Sequence, residues 1–172
     1  MNQHTLMQMW DVMRQRHGVG LRAIERLPED QLDSHPIPKM RTPKELVVHL
    51  YGMSMKNLVV GASEGRLVEL DEPATVARIK TKAELLAYCR ECWEATNRAV
   101  ASFTDEQLDV NVETPWGHPI KASRCVSAAQ EEYLHHEGQI YAYLRVLGAE
   151  PPDLWDFKGN APEFQPRQKQ QA

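Results

Sequence analysis

Apolar residues recur at helical spacing in four long segments of the chain. Along residues 3–27, positions such as Leu6, Trp10 and Met13 are three or four residues apart, which places them on one face of a helix. Similar stripes over residues 42–63, 81–103 and 121–147 predict three more amphipathic helices, and no segment shows a convincing strand pattern. Four such helices predict an all-α fold, a four-helix bundle.

Local signals at the ends of these segments support the predicted boundaries. Thr42 and Thr81 are each followed three residues later by a glutamate, the pattern of a capping box at a helix start. Pro28 ends the first helix, and a loop through residues 71–73 follows the second. Gly148 is the expected C-cap of the last helix, and the two prolines that follow prevent its extension.

The chain of 172 residues fits a single domain with a real core. We expect residues 1–150 to form the bundle and residues 151–172 to form a C-terminal tail. The tail is rich in proline, glutamine and lysine, so we expect it to dock in part through Leu154, Trp155 and Phe157 and then to fray.

Composition and charge narrow the classes of partner. Hydrophobic residues make up 42% of the chain and charged residues 26%, as in ordinary globular proteins. The net charge is −4, and basic residues are scattered, so neither nucleic acid nor an anionic membrane is expected as a partner. No apolar stretch approaches the roughly 20 residues that span a bilayer.

The three cysteines point to a reducing compartment. Their odd number disfavours a complete disulfide framework, and we therefore expect a cytoplasmic protein. Cys89 and Cys92 formally make a CxxC motif, but they lie within a helical pattern, so we expect two core-facing residues one turn apart. Neither they nor Cys125 lies at a helix N-terminus beside a base, which argues against a cysteine nucleophile.

Three titratable residues fall within the apolar stripes and could hold a metal. His49 lies between apolar neighbours in the second helix, and Glu132 and His136 are four residues apart on one face of the fourth. A charged carboxylate is rarely buried unless it is paired or bound to a metal. Two imidazoles and one carboxylate from facing helices could bind a divalent ion.

Other interpretations of these residues stay open at the level of sequence. Each histidine could be a hydrogen-bonded core residue, and Glu132 could pair with Arg124, Lys121 or a histidine. His17, on the apolar face of the first helix, is a candidate fourth ligand or supporting residue as well as a core residue. His135 points about 100° away from His136. His118 is of interest because its loop leads into the fourth helix.

Three segments resemble the DinB-like superfamily. Residues 135–152, HHEGQIYAYLRVLGAEPP, resemble its last-helix signature of two histidines four apart followed by Arg-Gly-Gln, an apolar helix, Leu-Arg, glycine and proline. Residues 42–50, TPKELVVHL, resemble its capping box followed by an apolar His-Leu pair. Residues 114–117, TPWG, are similar to a loop of some members. Together these segments occur in the family's order along most of the chain.

The resemblance implies a metal site and a class of chemistry. In the family, one second-helix histidine and two last-helix histidines bind a divalent ion, which implies His49 and His136 as ligands here. The middle position carries Glu132 instead of histidine, and Glu137 replaces the usual arginine. A His-Glu-His set can bind zinc, nickel, iron or manganese. The resemblance also implies a homodimer, and the small residues Gly138 and Ala142 would permit close helix approach.

Two functions compete on these grounds. The first is a metal-dependent enzyme that acts on a small molecule, either an S-transferase that uses a low-molecular-weight thiol or a hydrolase. The resemblance favours thiol transfer slightly, and no catalytic residue is assigned. The second is a non-catalytic bundle that binds a ligand or partner after losing the metal. In that case Glu132 and the histidines form a buried polar network.

Overall fold

The computed structural model describes residues 1–167 and confirms the all-α prediction. Four helical rods surround one core: α1, a composite rod of α2, a π-helical turn and α3, then α5 and α7. The helices are α1 (Gln3–Glu25), α2 (Pro43–Val48), the π-helical turn (His49–Asn57), α3 (Leu58–Glu64), α4 (Glu72–Arg78), α5 (Lys82–Ser102), α6 (Asp105–Leu108) and α7 (Ala122–Val146).

The predicted helix ends are correct where the sequence supplied a capping signal. The Thr42 and Thr81 hydroxyls accept from the backbone N–H of Glu45 and Glu84, whose carboxylates bond back, so both capping boxes are confirmed. Gly148 has a φ of 77°, the left-handed conformation that favours glycine just beyond a helix end. The first helix ends at Glu25, two residues before its predicted end.

Two predicted loops contain regular structure that the sequence analysis missed. The loop after the second rod holds α4, where the Asp71 carboxylate caps the backbone N–H of Ala74 and Pro73 occupies the first turn. The loop before α7 holds α6 and a two-stranded antiparallel hairpin, β1 (Asn111–Val112) and β2 (Ile120–Lys121). Strands of two residues are too short to show an alternating pattern, which is why none was predicted.

The composite rod lies at the centre of the packing. Its π-helical turn packs against both α5 and α7, and α1 also packs against these two helices. Trp10 of α1 stacks on Trp93 of α5 with ring centroids 5.1 Å apart. Cys89, Cys92 and Cys125 are fully buried, which confirms the core-facing interpretation of the CxxC motif. Within residues 1–167, no helix has the length and apolar character needed to cross a membrane.

The segment after α7 runs back along α1. Leu154 and Phe157 pack against the core, whereas Trp155 is 66% exposed and lies beneath the Arg16 guanidinium at 4.3 Å. Phe164 packs edge-on against the ring of His17. The fraying expected at the extreme C-terminus falls on residues 168–172, outside the described residues.

Candidate metal centre

The structure brings His49, Glu132 and His136 together. His49 is the first residue of the π-helical turn, and the other two lie one turn apart on α7. One ligand atom from each residue lies within 4.8 Å of the others, and the His49 and His136 ring centroids are 5.1 Å apart. π-Helical segments are rare and frequently occur at functional sites.

Each histidine is held through its Nδ1 atom. The Nδ1–H of His49 donates to Oε1 of Glu72 at 2.8 Å, and that of His136 donates to Oε1 of Gln139, also at 2.8 Å. In a neutral imidazole whose Nδ1 is the donor, Nε2 carries the lone pair that a metal would use. A partner on the far ring nitrogen is the usual way in which proteins orient metal-binding histidines.

Glu132 completes the group from the solvent side. Its Oε2 lies 3.1 Å from His136 Nε2 and accepts from the Ser54 hydroxyl at 3.4 Å. Its side chain is 46% exposed, whereas that of His136 is 6% exposed. Burial lowers the pKa of His136, which favours the neutral imidazole that a metal requires.

The side-chain contacts exclude two of the three pairing partners that the sequence allowed for Glu132. Arg124 pairs with Glu131 at 2.7 Å, and Lys121 pairs with Asp109, so neither basic residue is the partner of Glu132. The pairing with a histidine does occur, in the contact with His136.

The residues present fit a divalent ion. The donor set is two imidazole nitrogens and one carboxylate oxygen, which suits zinc and neighbouring transition metals. Two atoms that bind one zinc ion tetrahedrally at 2.0–2.2 Å lie about 3.3 to 3.6 Å apart. His136 Nε2 and Glu132 Oε2 are 3.1 Å apart, so a small outward movement of either side chain would reach that separation. Because Glu132 is partly exposed, solvent or a small molecule can reach the group.

The other candidate histidines lie outside this group. His17 is fully buried, stacks on Trp93 and lies 3.0 Å from the Tyr51 hydroxyl, so it is a core residue. His118 is exposed in the hairpin loop. His135, which precedes His136 in the sequence, contacts the side-chain amide of Gln139 and is not a member of the group. Among residues 1–167, the three-residue group consists of His49, Glu132 and His136 alone.

Glu72 is the site residue that sequence reasoning missed. It belongs to α4, which was predicted as loop, and it reaches His49 across 23 residues of sequence. Its only sequence signal was its place in the first turn of a short helix, after the capping Asp71 and before a proline. That signal predicts the helix but not the partner.

Glu137, which replaces the family's usual arginine, faces away from the metal group. It is buried against α1, with Oε2 at 3.5 Å from Arg16 Nη1. Burial raises the pKa of Glu137 to about 7, although Arg16 opposes the shift. The substitution therefore changes the contact with α1 and leaves the three candidate ligands in place.

The fold and the site define this chain as a helical bundle protein with a candidate His-Glu-His metal site between its rods. The sequence profile of the DinB superfamily matches residues 14–140. The chain belongs to this superfamily.

The individual relatives described next are each less than 25% identical to this chain. The uncharacterized protein YjoA of Bacillus subtilis strain 168 is 23% identical over 126 residues, which cover 72% of this chain and 79% of YjoA. Its crystal structure matches with a TM-score of 0.64, covering 81% of this chain and 91% of YjoA.

Two further structures share the fold. YfiT of Bacillus subtilis, described as a probable metal-dependent hydrolase with an unusual four-helix bundle topology, has a TM-score of 0.63 and 21% identity. That match covers 83% of this chain and 88% of YfiT. A mycothiol-dependent maleylpyruvate isomerase has a TM-score of 0.58 and 18% identity, over 94% of this chain and 76% of the isomerase.

Proposed function

We propose that this protein binds one divalent ion through His49, Glu132 and His136 and is a metal-dependent enzyme acting on a small molecule. The observation that carries the proposal is the convergence of three ligand atoms within 4.8 Å, with both histidines oriented from behind by Glu72 and Gln139. Three protein ligands leave coordination positions for water or substrate.

The chemistry follows from what such a site supplies. A divalent ion lowers the pKa of a water or thiol that joins it and so favours the nucleophilic form at neutral pH. The protein's own cysteines do not compete for this role, because burial raises the pKa of Cys92 to about 11 and also raises those of Cys89 and Cys125. The thiol would therefore come from a small molecule.

Two reactions fit, and the relatives point to both. The isomerase depends on mycothiol, a fact that favours thiol chemistry, and YfiT is described as a hydrolase. We favour transfer of a low-molecular-weight thiol. A screen of metal-loaded protein with small thiols and electrophilic acceptors, run beside ester and amide substrates, tests the choice. Turnover of neither class by stoichiometrically loaded protein would favour the non-catalytic bundle.

Metal analysis of untagged protein tests the site itself. We expect about one divalent ion per chain in the wild type and a loss of stoichiometric binding in His49→Ala and His136→Ala. His118→Ala is the matched control, because it removes an exposed histidine outside the group and should leave metal content unchanged. Near-stoichiometric metal in either ligand variant would show that the assignment is wrong.

Substitutions at Glu132 separate a ligand from an ordinary acid. Glu132→His should retain metal binding, because histidine supplies an equivalent donor, whereas Glu132→Ala should weaken it. Glu132→Gln tests the effect of the charge alone.

Metal at about 100 times its dissociation constant should stabilise the wild type by about 2.7 kcal/mol, and chelation should remove this gain. A loss of stability in Glu132→Ala that is the same with and without chelator would contradict the metal role.

We also propose a homodimer through the outer face of α7. Leu134, Gly138, Ala142 and Val146 follow one another at four-residue spacing on this helix, and we call them the α7 apolar stripe. Leu134 is 41% and Val146 58% exposed, and a side chain at Gly138 would meet nothing within 4 Å. A small-residue stripe of this kind would let a second copy of the helix approach closely. Its test is given in the Discussion.

A further inference from the structure

A cleft opens directly beside the candidate metal centre. It has a volume of about 310 Å³ and lies between the composite rod, the segment leading into α4 and the loop of the β1–β2 hairpin. Met53, which lines it, is one turn after His49. Glu72 lines it as well, and the same carboxylate holds His49 Nδ1. A molecule in the cleft would therefore lie next to Glu72, the residue that orients His49.

The lining of the cleft combines apolar surface with negative charge. Met53, Leu70, Trp116 and two prolines supply the apolar part, and Trp116 is 53% exposed on its loop. Its polar side chains are the carboxylates of Glu69 and Glu72, and within residues 1–167 no lysine, arginine or histidine lines it. Glu72 is engaged with His49, whereas Glu69 forms no ion pair with any residue between 1 and 167. An accessible indole face and this carboxylate together attract an organic cation.

A second cavity, which Glu72 also lines, has a charged lining of both signs. It measures about 300 Å³ and is lined in part by Lys56, Arg66 and Arg78. Lys56 pairs with Glu91 at 3.3 Å, whereas the two arginines form no ion pair with any residue between 1 and 167. This second cavity is also lined by the carboxylates of Glu64, Asp71, Glu72 and Glu91, so a ligand there meets both signs of charge. Of the two cavities, only the cleft presents carboxylates without basic groups.

We propose that the cleft binds the ammonium-bearing, apolar part of a small-molecule substrate, with Trp116 against its apolar body and Glu69 facing its charge. The substrate class is thus an alkylamine with an aliphatic or aromatic body, and not a carboxylate or phosphate. Its role as a substrate site rests on the proposed function. Binding in the cleft needs no metal, because neither Glu69 nor Trp116 belongs to the metal group.

A matched pair of probes tests this inference. Phenethylamine and 3-phenylpropionate share a phenylethyl body and differ in the sign of their charge. We expect chelator-treated, full-length protein to bind the amine about tenfold more tightly than the acid in calorimetric or ligand-observed NMR titrations. Equal affinity for the two probes, or preference for the acid, would overturn the proposal.

Three variants locate the binding. Glu69→Gln and Trp116→Leu should each weaken phenethylamine binding several-fold, because they remove the charge and the aromatic face. Arg78→Gln, in the neighbouring cavity, is the control and should leave amine binding unchanged. Amine binding that is insensitive to both cleft variants would place the probe elsewhere and refute the assignment.

The outcome is separable from that of the proposed function. Stoichiometric metal with no preference for the amine would refute the cleft and leave the metal centre standing. Preferential amine binding that depends on Glu69 and Trp116, in protein that takes up no metal, would support the cleft and refute the metal-dependent enzyme.

Discussion

Replacing His17 with phenylalanine should make the protein more resistant to acid. The His17 ring is fully buried, stacks on Trp93 with centroids 4.4 Å apart, and meets Phe164 edge-on. Its Nε2 has no hydrogen-bond partner among residues 1–167, and no carboxylate in that range pairs with the ring. Burial, reinforced by repulsion from Arg90, lowers the pKa of His17 to about 3.

The size of the effect follows from linkage between protonation and folding. A histidine in the unfolded chain titrates near pH 6.5, so below that pH the unfolded state binds a proton that the folded state refuses until about pH 3. Above about pH 6.5, His17 therefore does not lower the free energy of unfolding. Below that pH, it lowers the free energy of unfolding by about 1.4 kcal/mol for each pH unit. At about pH 4.5 this penalty reaches about 2 to 3 kcal/mol.

Urea unfolding at about pH 7 and at about pH 4.5, followed by circular dichroism with chelator present, measures this penalty. His17→Phe preserves the aromatic stack. Between about pH 7 and about pH 4.5, the variant should lose about 2 to 3 kcal/mol less free energy of unfolding than the wild type loses. His118→Phe, an exposed site, should behave like the wild type. An identical pH dependence in wild type and His17→Phe would refute the reasoning.

Three further predictions concern packing, the metal centre and assembly. Gly20→Ala should destabilise the protein by about 1 to 3 kcal/mol in urea unfolding, because the new methyl would collide with the Tyr133 hydroxyl, and adding Tyr133→Phe should recover part of that loss. Glu72→Gln should lower metal affinity by about 10- to 100-fold in calorimetric titration while changing stability little in chelator, and unchanged affinity would exclude a supporting role. Gly138→Arg in the α7 apolar stripe should shift the protein from dimer to monomer in light scattering, and a wild-type monomer would contradict the homodimer.

The helices themselves could be predicted from sequence because their determinants are local. Spacing of apolar residues, a threonine three residues before a glutamate and a glycine before two prolines act within a few residues of each other. The same holds for two of the three candidate ligands, since residues four apart on a helix must share a face. That is why Glu132 and His136 could be paired before the structure was known.

The tertiary structure decided the contacts that join distant segments. From the sequence, Arg124 could pair with either Glu131 or Glu132. Only the folded structure shows that Arg124 pairs with Glu131 and that Glu132 lies beside His136. His17 and His49 both lie on apolar faces, yet one packs between aromatic rings and the other faces α7.

The sequence by itself determined the helical rods, their caps and the residue types able to bind a metal. Only the fold determined that Glu72, on a short helix with a weak sequence signal, bonds to His49. Only the fold likewise determined that Trp116, in the hairpin loop, lines a cleft together with Glu72. The physical reason is that periodicity and capping are fixed by neighbours in the chain. A hydrogen bond or a cavity depends instead on how four rods pack and where their connections run, which no local pattern encodes.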